Sequence, residues 1–141
     1  MTRDVSLIVV VFADRLPGFE AIDAVVAAGA VGIMLDTAGK STGSLLDHLS
    51  LGEVANFVAR AKAHGLAIGL AGSLRAAQIP ALLALEPDVL GFRGALCHGS
   101  RNASLDRASC LGIRTLIPIA DTKLARRPFV AFNQRAVEAL C

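Results

Sequence analysis

The chain has 141 residues, of which 54% are hydrophobic and 18% charged, so it can bury the core of one domain and is not a disordered segment. Aromatic residues make up only 4%, the net charge is +2, and the basic residues are scattered along the sequence. These properties exclude the stacking platforms and basic faces of most nucleic-acid binders. We therefore expect no nucleic-acid partner.

The composition also argues against a membrane protein and against a metal or disulfide site. Ala24–Leu35 is an uncharged stretch of 12 residues, whereas a membrane span needs about 18 or more. The three cysteines, at no metal-ligand spacing and odd in number, suit a reducing compartment. We expect a cytoplasmic protein with no membrane contact, no metal ion and no other cofactor.

Four short apolar runs predict four buried strands. They are rich in Val, Ile, Leu and Ala, and each stops at a polar or glycine residue, as strands of a parallel sheet do. The predicted strands are Val5–Phe12, Ile33–Asp36, Ala67–Ala71 and Val89–Phe92.

Helical patterns separate these strands. The first helix begins near Pro17 and stops at Gly29; after a polar loop of unusual length, the second begins near Leu51 and ends at Gly65; the third is short and contains Pro80. Alternating strands and helices predict an α/β fold with a parallel sheet. A last helix is expected from about Leu105 to Ile113.

The alternation stops after residue 117. We expect one domain over residues 1–117 and a tail over residues 118–141, with one helix at Val130–Leu140.

The candidate functional residues follow the predicted strands. They are Asp14 after the first strand, Asp36 at the end of the second, Gly72 with Ser73 after the third, and Arg93 with Gly94 after the fourth. In α/β barrels and open parallel sheets, ligands bind at the carboxyl ends of strands. Strands also end in Asp and Gly simply because these residues form turns, and that alternative stays open.

The two glycine-containing loops suit phosphate binding. Gly72 and Gly94 allow the backbone to approach an anion, while Ser73 adds a donor and Arg93 adds positive charge. We predict that these loops, together with Asp14, contact a small phosphorylated substrate.

Asp36 and Lys40 form the candidate catalytic pair. They are either a solvated ion pair of small energetic value or a proton-transferring carboxylate with an ammonium that stabilises developing negative charge. Glycine and serine around Lys40 provide little of the desolvation that a Schiff-base lysine needs. We favour proton transfer by Asp36, and charge stabilisation or proton transfer by Lys40.

Three segments, "MLDTAGK", "GLAGSLRAAQIPALLALEPDVLGFRGALC" and "SRNASLDR", resemble the C-terminal half of the (5-formylfuran-3-yl)methyl phosphate synthase family of methanofuran biosynthesis. The resemblance extends from about Val5 to Ile117. It implies strands five to eight of a TIM (β/α)8 barrel. It also implies a lyase that condenses two glyceraldehyde 3-phosphate molecules, with loss of phosphate and water, into a phosphorylated furan aldehyde.

The resemblance also assigns roles to residues. Asp36 and Lys40 match the family's aspartate and lysine after the sixth strand, and the loops at Gly72–Ser73 and Arg93–Gly94 match the positions that hold substrate phosphate. The Schiff-base lysine and a second catalytic lysine belong to the first four strands, so we expect them outside this chain.

Three sources are open for the missing half: a longer protein, a second copy in a homo-oligomer, or a separate N-terminal half-barrel partner. Two alternative functions also remain. One is another TIM-barrel enzyme that acts on a small phosphorylated substrate, and the other is a half barrel that binds phosphate without catalysis.

Overall fold

The computed structural model describes residues 5–15, 19–39 and 41–118, so Lys40 and the predicted tail helix at Val130–Leu140 lie outside the described residues. The described chain is α/β. Its strands are β1 (Ile8–Phe12), β2 (Gly32–Asp36), β3 (Ala67–Leu70) and β4 (Val89–Leu90). Its α-helices are α1 (Ala21–Ala27), α2 (Leu45–His48), α3 (Leu51–Ala63), α4 (Ile79–Leu83) and α5 (Arg107–Leu116).

The four strands form one parallel sheet in the order β1-β2-β3-β4. In its register Val10 pairs with Met34, Met34 with Gly69, and Gly69 with Val89. The prediction of parallel strands adjacent in chain order is confirmed. All four carboxyl ends therefore lie along one edge of the sheet.

The outer strands are shorter than predicted. β1 begins at Ile8 instead of Val5, and the Val5 side chain is 88% exposed. β4 has only two residues, because the chain turns into a 3-10 segment at Gly94–Leu96 soon after the Gly91 N–H has bonded to the Leu70 carbonyl.

One face of the sheet packs against the helices. Side chains alternate along each strand, so every second residue faces this layer. The core combines sheet residues with apolar helix residues that are almost fully buried: Ile22, Val25, Ile33, Leu35, Val54, Phe57, Val58, Ile68, Leu70 and Leu82. Phe19 and Phe57 also meet there, with ring centroids 5.7 Å apart. This layer is what holds the strand ends in place.

The opposite face of the sheet is open in the described part of the chain. Val10 is 46% exposed, Phe12 39% and Val89 40%. Gly69 lies on this face beneath Met34, and a Cβ at residue 69 would come within 2.7 Å of the Met34 Cε. We call this surface the open face.

The polar loop predicted before the second long helix contains a further helix, α2, and the prediction of an uninterrupted loop is wrong. A reciprocal capping box between Ser44 and Asp47 starts this single turn, and Leu45 is fully buried beneath it. Four residues are too few for a periodic apolar pattern, so hydrophobic periodicity could not reveal the turn.

The last helix lies close to its expected place. It runs from Arg107 to Leu116 because the Asp106 carboxylate caps it, accepting the Ser109 N–H at 2.8 Å. None of the helices in the described ranges is both long and apolar enough to cross a bilayer.

Candidate functional site

The structure places the described candidate residues along one edge of the sheet. Asp14 follows β1, Asp36 is the last residue of β2, Ser73 follows β3 and Arg93 follows β4. Since the strands are parallel neighbours, these positions share the edge at which the sequence predicted a site. Their roles toward a substrate stay predictions.

Asp14 binds the backbone of the loop that follows β2. Its Oδ1 accepts the Ala38 N–H at 2.8 Å, and its Oδ2 accepts the Gly39 N–H at 2.7 Å. These two hydrogen bonds, Ala38 first, hold the pKa of the Asp14 carboxyl below its ordinary value. Asp14 is therefore an ionised carboxylate joined by both oxygens to the neighbouring loop.

Asp36 begins the same loop. It ends β2 on the open face, half-buried, and its Oδ1 accepts the N–H of Thr37 at 2.7 Å. Three consecutive amides, those of Thr37, Ala38 and Gly39, thus donate to two carboxylates. The backbone around the predicted proton-transfer group is fixed by charge-assisted hydrogen bonds.

The next part of the loop is tied by Thr42. Its hydroxyl donates to the Gly39 carbonyl at 2.7 Å, and the Nε2 of His48 lies 3.2 Å from the Thr42 Oγ1. The tautomer of His48 decides which of these two groups donates in the second contact. Lys40 lies between Gly39 and Thr42 in the sequence. The hydrogen bond from Thr42 to Gly39 therefore joins the residues on either side of the segment that contains Lys40.

The far end of the loop is bound to the loop after β3. The Leu45 N–H donates to the Gly72 carbonyl at 2.8 Å. Gly72 has φ +105°, and a Cβ there would lie 2.9 Å from the Thr37 Cγ2. Glycine is thus required at residue 72, both for its backbone conformation and for its close approach to the preceding loop.

A polar network around the buried Ser44 reinforces this junction, and sequence reasoning missed it. Ser44 is almost fully buried, and its Oγ accepts from Arg75 Nη2 at 3.0 Å and from Gln78 Nε2 at 2.7 Å. Arg75 also pairs with Asp47. The Ser44 N–H is the largest cause that lowers the pKa of Asp47, and the Arg75 charge contributes to the same shift.

Two of the four residues in this network, Ser44 and Asp47, form a pattern that can be recognised in the sequence. Ser44 and Asp47 stand three residues apart, with the apolar pair Leu45–Leu46 between them, which is the capping-box pattern. Arg75 and Gln78, 31 and 34 residues from Ser44, carry no comparable signal.

The loop after β4 presents Arg93 to solvent. The Arg93 carbonyl accepts from the Leu96 N–H at 3.0 Å and from the Cys97 thiol at 3.2 Å, so its backbone is held while its side chain is exposed. A Cβ at Gly94 would meet Arg101 Cβ at 3.7 Å, an ordinary contact. The described surroundings thus require glycine at residue 72 but leave room for alanine at residue 94.

The arrangement brings the Asp14 and Asp36 carboxylates and the exposed Arg93 guanidinium to the carboxyl-terminal edge of a parallel sheet. This combination suits proton transfer next to a bound anion. Within the described ranges, no group of three or more His, Cys, Asp or Glu is placed to hold a metal ion.

A family model described as 4-HFC-P synthase matches residues 1–114. Two similar proteins are named (5-formylfuran-3-yl)methyl phosphate synthase. The protein of Archaeoglobus fulgidus is 40% identical over 85 residues, which is 60% of this chain and 36% of the relative. The protein of Methanopyrus kandleri is 46% identical over 76 residues, 53% of this chain and 32% of the relative.

A candidate synthase of the same name from Methylorubrum extorquens is 52% identical over 83 residues, 58% of this chain and 35% of the relative. The chain thus spans about a third of the length of the curated relatives it matches. Because the family model covers most of the sequence, the chain belongs to the 4-HFC-P synthase family.

Proposed function

We propose that the chain supplies one part of the active site of a (5-formylfuran-3-yl)methyl phosphate synthase. The reaction would condense two molecules of glyceraldehyde 3-phosphate, with loss of phosphate and water, into a phosphorylated furan aldehyde. The names of the relatives support the product. The observation that carries the proposal is Asp36 at the carboxyl end of β2, where the following loop is bonded to the loops of both neighbouring strands.

The four strands correspond, in this proposal, to strands five to eight of a TIM (β/α)8 barrel. The open face would then be part of the barrel interior, which inward-pointing side chains of the strands fill in layers. Its exposed Val10, Phe12 and Val89 support this interpretation, because a sheet face this apolar is normally covered. The covering strands would come from the same protein, from a second copy or from a separate partner.

Within such a barrel, Asp36 would transfer protons and Lys40 would stabilise negative charge as it develops. The loop at Gly72–Ser73 and the loop at Arg93–Gly94 would hold substrate phosphate. The exposure of the Ser73 and Arg93 side chains supports this role, since both can reach an anion at the strand ends. A Schiff-base lysine would come from the strands that complete the barrel.

The test of catalysis pairs this chain with an N-terminal half of the Archaeoglobus fulgidus relative, chosen to supply strands one to four of the proposed barrel. It measures furan phosphate formed from glyceraldehyde 3-phosphate. We expect no product from the chain alone and measurable turnover from the pair. Lys40→Ala should lower turnover by roughly 10²–10⁴, the range for losing an acid–base or charge-stabilising group. Lys62→Ala is the matched control, because Lys62 Nζ contacts Leu85 and Glu86 away from the strand-end loops.

Borohydride trapping with peptide mapping completes this test. Substrate attached to Lys40 in the chain alone would contradict the division of roles, because covalent chemistry would then belong to this part of the site. A pair without turnover would count against the synthase activity itself.

The phosphate loops can be tested without catalysis. Calorimetric titration with inorganic phosphate and with glyceraldehyde 3-phosphate should show binding that Arg93→Ala weakens. One exposed charge-assisted contact predicts a loss of about tenfold. Arg114→Ala, at an exposed arginine that donates to the Ile117 carbonyl, should leave the affinity unchanged. Equal affinities for the two variants would remove Arg93 from the proposed phosphate site.

A further inference from the structure

The loop after β2 depends on a residue outside it. Of the three consecutive amides that follow Asp36, Asp36 itself accepts one and Asp14 accepts the other two. Asp14 lies 24 and 25 residues from these partners and reaches them from the end of the neighbouring strand. The backbone next to the proposed proton-transfer residue is therefore held by the β1 end of the sheet.

We propose that Asp14 is a positioning residue for the proposed reaction. Its carboxylate fixes the Ala38 and Gly39 amides, and through them the path of the chain from Asp36 toward Lys40. The inference rests on the proposed function. It replaces the direct substrate contact that the sequence suggested for Asp14 with an action through the loop.

Two arguments separate this role from the alternatives. An ionised carboxylate can only accept hydrogen bonds, so it repels a phosphate instead of binding it. Two backbone N–H bonds also make a carboxylate a poor base, because they stabilise its charged form. Direct phosphate binding and proton transfer are thus both unfavourable for Asp14, whereas anchoring of the loop uses both oxygens as the structure has them.

Short hydrogen bonds fix the loop after β2 near both of its ends, so losing one of them should shift the loop. Asp14 holds the Gly39 N–H at 2.7 Å. The other end of the loop is fixed by the bond from Leu45 to Gly72. Without Asp14 the Ala38 and Gly39 N–H groups would lose their acceptors, and this part of the loop would be held less firmly, by the Asp36–Thr37 and Thr42–Gly39 hydrogen bonds. Its functional groups would then move relative to a substrate at the strand ends.

The first test is Asp14→Asn, with Asp23→Asn as the matched control. Asp23 is an exposed helix carboxylate 3.8 Å from His64, and its replacement removes the same charge. An asparagine can accept only one of the two N–H groups and presents an NH2 to the other. Amide exchange at residues 38 and 39 should accelerate about tenfold in Asp14→Asn and stay unchanged in the control, while amides within β2 remain protected.

The second measurement uses the pair of half barrels. Asp14→Asn should lower kcat by about 10- to 100-fold with KM within about threefold, as expected when positioned groups shift by an ångström or less. Unchanged amide exchange at residues 38 and 39, or a raised KM with unchanged kcat, would overturn the proposal. If the unsubstituted pair forms no product, the proposed function fails, and amide exchange still decides whether Asp14 anchors the loop.

A second variant covers the case in which Asp14→Asn does not fold. Gly39→Ala perturbs the same contact from the loop side, because a Cβ there would lie 3.1 Å from the Asp14 Oδ2 and 2.7 Å from the Thr42 Oγ1. The same local acceleration of exchange and the same fall in kcat are expected. Normal exchange and kcat in Gly39→Ala would overturn the proposal as well.

Discussion

Replacing Gly72 by alanine tests the junction between the loops after β2 and β3. Gly72 combines a φ of +105° with a close approach to Thr37, whose Cγ2 and backbone N would lie 2.9 and 3.0 Å from a new Cβ. Gly72 is buried, so neither the unfavourable backbone conformation nor the close contact with Thr37 could be relieved by moving the new methyl group into solvent.

The expected cost has two parts. An L-residue in this backbone region costs about 1–2 kcal/mol. Forcing a methyl group into a packed site adds roughly 1–3 kcal/mol. We therefore expect Gly72→Ala to lower the free energy of unfolding by about 2–5 kcal/mol, a large share of the total for a domain of this size.

Gly65→Ala provides the control. Gly65 has φ +71°, and a Cβ added there would meet nothing within 4 Å, so its replacement carries the backbone cost alone. Both variants also restrict the unfolded chain to the same extent, and that effect cancels between them. Urea unfolding followed by circular dichroism should give Gly72→Ala the lower midpoint. Equal midpoints would refute the argument that contact with Thr37 makes glycine necessary.

Two further predictions concern polar groups of the same loops. The lowered pKa values of Asp14 and Asp47 mean that their stabilising effect is complete above the ordinary value of 3.8 and is lost as pH falls through the folded-state values. The urea midpoint should thus stay level from about pH 7 to 5 and drop below about pH 4, with a smaller drop in Asp14→Asn; an equal drop in that variant would contradict the assignment. Ser44→Ala should cost about 1–2 kcal/mol, because Gln78 loses a buried acceptor, while Ser41→Ala at an exposed position should change stability by less than about 0.5 kcal/mol. Equal midpoints for the two serine variants would show that the hydrogen bonds to Ser44 contribute nothing.

The sheet was predictable because its strands carry their own signal. Apolar runs that end in Asp or Gly fixed the number, order and direction of the strands, and Asp36 was correctly expected at the end of β2. The lengths of the two outer strands, β1 and β4, were predicted less well. Val89–Phe92 has an apolar pattern, yet only two residues pair, because strand length there depends on where the chain turns away.

The position of the candidate residues at one edge of the sheet was predictable, but their contacts were not. Asp14 was recognised from its place after a strand, yet its partners are backbone amides, which have no residue-type signal. Ser44 was missed because a serine in a polar loop gives no indication that the fold will bury it. Contacts between residues distant in sequence depend on how neighbouring strand ends meet, and only the assembled sheet determines that.

Because β4 is short, its local unfolding should cost less free energy than local unfolding of β1 and β2. β4 is held by two paired residues, by flanking bonds such as Asp88 N–H to Ile68 O, and by the Asp88 carboxylate, which accepts the Ile68 N–H at 2.8 Å. β1 and β2, by contrast, pair over five residues. The segment that carries Arg93 can therefore detach at lower free energy than the rest of the sheet. An anion bound by Arg93 would slow that detachment, so occupancy of the loop would be measurable as protection of β4 against proteolysis.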